Sequence, residues 1–236
     1  MGKKVKQEGS AAGLWVRWVL ANSLAETVGL GAALGIGAVL FPYLSAPGIL
    51  IAIATVAVAV LAGTLIEGTV VGTAQWLVLR RPLPAMGWQT WVLATALGAL
   101  VAWTLGMLPG TLMSAGSGSG GSEPSEAMVY GLAALMGLAA GTILGTPQWL
   151  VLRRHVRRAA WWLPANALAW APGMVMAFYA ADLIFSAGIG MTTIVLAIGA
   201  LVAIGAVVGA IHGLALVWLV HSQRPRQSGK PTVTQG

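Results

Sequence analysis

Gly68-Thr-Val-Val-Gly72-Thr-Ala-Gln75-Trp76-Leu-Val-Leu-Arg80-Arg81 recurs further along the chain as Gly141-Thr-Ile-Leu-Gly145-Thr-Pro-Gln148-Trp149-Leu-Val-Leu-Arg153-Arg154, with 11 of 14 positions identical. An apolar run that ends on tryptophan and paired arginine is the pattern of a helix leaving lipid for a charged interface. A weaker third copy, Gly205-Ala-Val-Val-Gly209-Ala-Ile-His212-Gly213, has His for Gln, Gly for Trp and no arginine pair. The segments that feed these copies repeat as well. Trp18-Val-Leu-Ala-Asn22-Ser-Leu-Ala aligns with Trp91-Val-Leu-Ala-Thr95-Ala-Leu-Gly and with Trp162-Leu-Pro-Ala-Asn166-Ala-Leu-Ala. The unit is a two-helix hairpin, present three times.

Working outward, the whole chain has the composition of a membrane protein. Of its 236 residues 58% are hydrophobic and 8% charged, with a mean hydropathy of +0.84. A soluble domain carries roughly 25% charged residues. Six stretches reach the ~20 apolar residues that span a bilayer: 15–41, 49–79, 88–109, 127–152, 160–185 and 190–220. The predicted fold is all-α and integral to the membrane. Six transmembrane helices form three parallel hairpin repeats in a pseudo-threefold bundle. The segments are a 1–14 cytoplasmic start, repeats at 15–81, 82–154 and 155–221, an external Gly/Ser loop at 114–126, and a 222–236 tail expected to be disordered. The first span is read as a retained signal anchor, too long for a cleaved peptide. With no cysteine, disulfide and thiolate chemistry are excluded.

Charge sets the orientation. Lys3, Lys4, Lys6 and Arg17, then Arg80 and Arg81, then Arg153, Arg154, Arg157 and Arg158, and finally Arg224, Arg226 and Lys230 all fall on one side of an even-numbered topology. The opposite loops hold no cation but include Glu123 and Glu126. By the positive-inside bias both termini are cytoplasmic, in a bacterial inner membrane. The arginines 80, 81, 153, 154, 157 and 158 are then topology determinants meeting lipid phosphate, and the net charge of +7 calls for no nucleic acid. Trp15, Trp18, Trp76, Trp88, Trp91, Trp149, Trp161, Trp162 and Trp218 lie near the arginine side and read as an interfacial belt.

These repeated G-x-x-x-G-x-x-Q-W-L-V-L-R-R and W-V-L-A-N segments resemble a group of uncharacterised bacterial polytopic membrane proteins, over about residues 14–220. The resemblance implies a multi-pass fold and brings no activity, so it assigns no functional residue.

Several side chains are candidates for chemistry. Gln75, Gln148 and His212 project from nearly the same face as the glycine stripes before them. Asn22, Thr95 and Asn166 stand at matching depth on the outgoing helices, about 7 Å inside the boundary. These six form a polar layer. It serves either as three hairpin clamps worth about 0.6 kcal/mol each, or as a ligand-binding collar open to the cytoplasm. Glu26 and Glu67 are ionisable residues near mid-membrane, where a charge costs at least roughly 2.5–3.5 kcal/mol. They occur once, because the repeats carry Ala99 and Trp170, and Ala140 and Ile204, in their places. With no cation at their depth they suit a shared proton on a proton or cation path, or a structural pair bonded to backbone carbonyls. Pro147 and Pro172-Gly173 are expected to break their helices and free carbonyls. His212, beside Gly209 and Gly213, has room for haem or pigment, although no cofactor is predicted, and no metal-ligand cluster is visible.

No catalytic constellation is present, which argues against an enzyme. The favoured reading is a small solute or proton/cation-coupled transporter or channel. The alternative is a non-catalytic scaffold or accessory subunit that binds lipid, pigment or a partner membrane protein. Expected partners are membrane lipids, with a partner membrane protein or homo-oligomer as further possibilities.

Overall fold

A computed structural model describes residues 10–44, 48–115, 124–188 and 190–223. The expectations for most of the N-terminal segment, for the centre of the Gly/Ser loop and for the tail with Arg224, Arg226 and Lys230 lie outside these. The described residues are helical and contain no strand. The helices are α1 (Ala11–Leu44), α2 (Ile49–Ala62), α3 (Gly68–Leu79), α4 (Trp88–Ala115), α5 (Glu126–Leu152), α6 (Trp162–Ala187) and α7 (Met191–His221). A π-helical turn, Gly63–Glu67, joins α2 to α3. Six helical spans are long and apolar enough to cross a membrane: Ala11–Leu40, Leu50–Leu79, Trp88–Gly106, Glu126–Leu152, Ala159–Ile184 and Met191–His221. They match the six stretches read from hydropathy to within a few residues, because such length and apolarity leave a backbone in lipid no other way to satisfy its polar groups.

The helices pack in a closed ring. α1 lies against α3, α3 against α4, then α4 on α5, α5 on α6, α6 on α7, and α7 returns to α1. Every second seam is built from glycine, and in each the glycines press on the helix that follows. A Cβ at Gly68 would stand 2.9 Å from the Ala96 Cα, and one at Gly72 3.0 Å from the Val92 Cα. On α5, Gly141 faces the Asn166 carbonyl oxygen at 2.3 Å from where its Cβ would be, and Gly137 faces that of Trp170 at 2.2 Å. On α7, a Cβ at Gly205 would lie 2.7 Å from the Ser23 Cα, and one at Gly213 2.8 Å from the Trp18 indole. Missing side chains let the backbones of adjacent helices approach closely.

That close packing does not extend to the end opposite the arginines. Gly35, Gly106, Gly131 and Gly199, toward the opposite end, have nothing within 4 Å of a Cβ position. There α6 and α7 leave an apolar groove of about 310 Å³, lined by residues such as Met176, Leu183, Val195 and Ala203. The main hydrophobic cluster sits at the arginine end. It joins Trp18, Trp91 and Trp162 to Leu79, Leu152, Leu216 and Leu219, and to the loop side chains Leu83, Met86 and Val156.

This corrects the interfacial belt. Trp18, Trp91 and Trp162 are fully buried on the bundle axis rather than at the lipid surface. Trp162 meets Trp18 at a centroid distance of 6.0 Å and Trp91 at 6.5 Å, both edge to face. The signal was present in the sequence. Each stands four residues before Asn22, Thr95 or Asn166, on the same helix face, so an inward amide requires an inward indole. Trp88, Trp161 and Trp218 are exposed.

Candidate functional site

Above the tryptophan plug, one helical turn further from the arginine end, the polar layer forms a hydrogen-bonded ring that stays open between Asn166 and His212, where α6 meets α7. Each buried tryptophan donates its indole N–H to the preceding helix: Trp91 to the Gln75 Oε1 at 3.2 Å, Trp162 to the Gln148 Oε1 at 3.0 Å, Trp18 to the His212 Nδ1 at 2.8 Å. The amide of Gln75 donates to the Asn22 Oδ1 at 2.9 Å, and that of Gln148 to the Thr95 Oγ1 and the Gln75 Oε1 at 3.0 Å. Asn22, Thr95 and Asn166 each donate back to the carbonyl of their own helix's tryptophan, at 2.8, 3.0 and 2.8 Å. Of the three expected clamps, those between Asn22 and Gln75 and between Thr95 and Gln148 are present, while Asn166 and His212 do not bond each other: Asn166 turns to the Trp162 carbonyl and His212 accepts from Trp18. The larger bond pattern runs across the seams between hairpins, through indoles that the sequence reading had assigned to the surface.

Gln148, like Gln75, makes three of these bonds. Replacing it by leucine removes both donations and leaves the Trp162 N–H, buried, without its acceptor. Such an orphaned donor costs about 1–3 kcal/mol. We expect Gln148→Leu to lower the melting temperature of purified protein more than Asn166→Ala, which removes one local bond.

The ring and the two glutamates line one cavity. Its wall contains Asn22, Thr95 and Asn166; Gln75, Gln148 and His212; Val71, Leu144 and Val208; and Glu26, Ala99 and Trp170, with Glu67 and Gly68. Each of the first four sets takes equivalent positions in the three sequence repeats. The cavity measures about 30 Å³, room for one or two water-sized particles. A collar open to the cytoplasm does not fit this structure: Trp18, Trp91 and Trp162 close that end, and Leu83, Met86 and Val156 pack beneath them.

Glu26 and Glu67 enter from neighbouring elements. Glu26 is one turn before Gly29, whose Cβ position lies 3.0 Å from the Glu67 Cα, so α1 presses that face on the π turn. Glu26 is only 3% exposed, and its Oε2 has no hydrogen-bond partner among the described residues. Glu67 accepts 2.8 Å from the Trp103 Nε1. The Trp103 ring fills the space beside Gly63, 2.1 Å from where a Cβ would sit. Glycine is therefore required there. The π turn was not legible in the sequence, and such bulges are frequent at functional sites.

The expected helix breaks fall elsewhere. Helix α5 continues through Pro147 and α6 through Pro172 and Gly173. In lipid, neighbouring groups can satisfy the freed carbonyls, so a proline need not end a span. Gly173 admits Val208, whose methyl lies 2.7 Å from its Cβ position. Irregular backbone inside a span is found instead at the Gly63–Glu67 turn.

His212 has no space for a flat macrocycle. Trp18 and Trp162 pack on its ring at 5.6 and 5.4 Å, and α1 occupies the room beside Gly209 and Gly213. The six arginines are exposed. Arg80 and Arg153 lie over Trp76 and Trp149 at 5.4 and 5.3 Å, and Arg158 over Trp218 at 5.9 Å. Cation–π contacts of this kind hold a guanidinium flat against the surface. No family model, curated protein or solved structure matches the chain.

Proposed function

We propose that this chain is a polytopic membrane protein of three hairpin repeats about a pseudo-threefold axis, moving protons or a small cation through the bundle centre. Both termini would face the cytoplasm, with the exposed arginines at lipid phosphate. The observation that carries the transport reading is the Glu26 carboxyl, buried with an unpartnered oxygen in a cavity whose wall also holds the Glu67 carboxyl, four side-chain amides, the Thr95 hydroxyl and the His212 imidazole among apolar groups. Ionisable residues inside membrane spans usually mark ion pathways or relays. The equivalent wall positions and the recurrent indole bonds support the repeat architecture.

Reconstitution into proteoliposomes tests the function. Under an imposed pH or sodium gradient, the wild-type chain should carry flux above empty vesicles. Glu26→Gln and Glu67→Gln, which keep shape and remove charge, should reduce it to near background. Wild-type flux in both variants would dismiss the path. The apolar groove between α6 and α7 favours a second reading, a scaffold whose outer half holds lipid or a partner helix. Absence of flux from the wild type, together with a stable copurifying partner, would favour it.

A further inference from the structure

The centre of the bundle carries a more specific assignment, resting on the transport reading above. We propose that the cavity between Glu26 and the Gly63–Glu67 turn is a binding site for one dehydrated monovalent cation of about the size of Na⁺. The amide donors of the ring are turned on one another: Gln75 on Asn22, Gln148 on Gln75 and Thr95, Asn22 and Asn166 on main-chain carbonyls. The fully buried side-chain atoms left without a hydrogen-bond partner among the described residues are both oxygens, the Glu26 Oε2 in the cavity wall and the Thr64 Oγ1 in the turn that carries Glu67, outside that wall. No lysine or arginine lines the wall. Hard cations take oxygen ligands of this kind.

Size and charge narrow the class. A volume of about 30 Å³ accepts a bare ion or one or two waters. Magnesium keeps several waters and calcium takes six to eight oxygens, commonly with several carboxylates. Among the described residues no group of three or more His, Cys, Asp or Glu is gathered to hold a metal ion. With one proton kept on the pair, Glu26 and Glu67 carry a single negative charge, which one monovalent cation balances and a divalent one does not. Because Ala99 and Trp170 stand where the repeats would place further carboxyls, the chain has one such site on one side of the axis.

Carbodiimide labelling of the intact purified protein, read by mass spectrometry, tests this on the wild type. Dicyclohexylcarbodiimide attacks membrane-buried carboxyls, and an ion held at Glu26 blocks it. With ionic strength held constant by choline chloride, rising NaCl should suppress Glu26 labelling, about tenfold once Na⁺ exceeds its dissociation constant about tenfold. The same series should raise the melting temperature of the wild type and leave Glu26→Gln unmoved. If Glu26 does not label in either salt, the melting series decides; if Glu26→Gln does not fold, the labelling series does. Equal behaviour in NaCl and choline chloride by both measurements overturns the site, as does protection by CaCl₂ or MgCl₂ where NaCl gives none. Proton flux insensitive to sodium would leave the transport reading standing and remove this one. Sodium binding without flux would do the reverse.

Discussion

Trp162→Ala is expected to unseal the arginine end of the bundle. The indole is fully buried, meets Trp18, Trp91 and His212, and donates to Gln148, so it joins all three seams of the ring. Truncating a buried tryptophan costs about 3–5 kcal/mol, through lost transfer energy and the cavity left behind. The Gln148 amide would also lose its donor. Removing ~3 kcal/mol from the closed arrangement raises the population of an opened one by up to roughly a hundredfold. In proteoliposomes this should appear as a leak that no longer depends on Glu26, with a lowered melting temperature. Trp162→Phe separates the causes. It keeps an aromatic plug and loses only the N–H, so it should show the milder loss of stability and little leak. A tight, wild-type-like vesicle with Trp162→Ala would mean that the plug does not control access.

The second large effect is expected at Gly141. A Cβ there would lie 2.3 Å from the Asn166 carbonyl oxygen and 2.9 Å from the Ala167 Cα. The obstacle is backbone, so no side chain can rotate away. Overpacking a core usually costs 1–3 kcal/mol, and Gly141→Val should cost about 3 or more. Moving α6 outward would also carry Asn166 off the ring and Trp162 off its partners. The expected result is loss of the monodisperse peak in size-exclusion chromatography. Gly131→Val is the internal control on the same helix. Nothing lies within 4 Å of its Cβ position, and removing glycine favours a helix, so it should behave as wild type. Equal damage from the two would refute the seam assignment.

Repeat period, hydropathy and charge asymmetry are properties of the chain read locally, and they determined the six spans, their bounds and the polar layer of Asn22, Gln75, Thr95, Gln148, Asn166 and His212. A 3.6-residue period fixes which residues share a face without naming what the face meets. The glycine stripes were therefore visible, while their seating on the following helix was not. The placement of Trp18, Trp91 and Trp162 followed the same division. An indole is amphipathic and suits both a lipid interface and a buried site with a hydrogen-bond acceptor. Only packing put Gln75, Gln148 and His212 within reach of those N–H groups, making a plug of what composition marks as a belt. The prolines and the π turn complete the contrast. Proline's missing donor is a local fact, but neighbouring helices decide whether a span tolerates it. The turn at Gly63–Glu67 accompanies Trp103, more than thirty residues away in the chain, lying against Gly63 and binding the Glu67 carboxylate. Long-range contact of that sort leaves no periodic trace in a sequence. For that reason the two acidic residues were legible individually, and the cavity they share was decided by the tertiary structure.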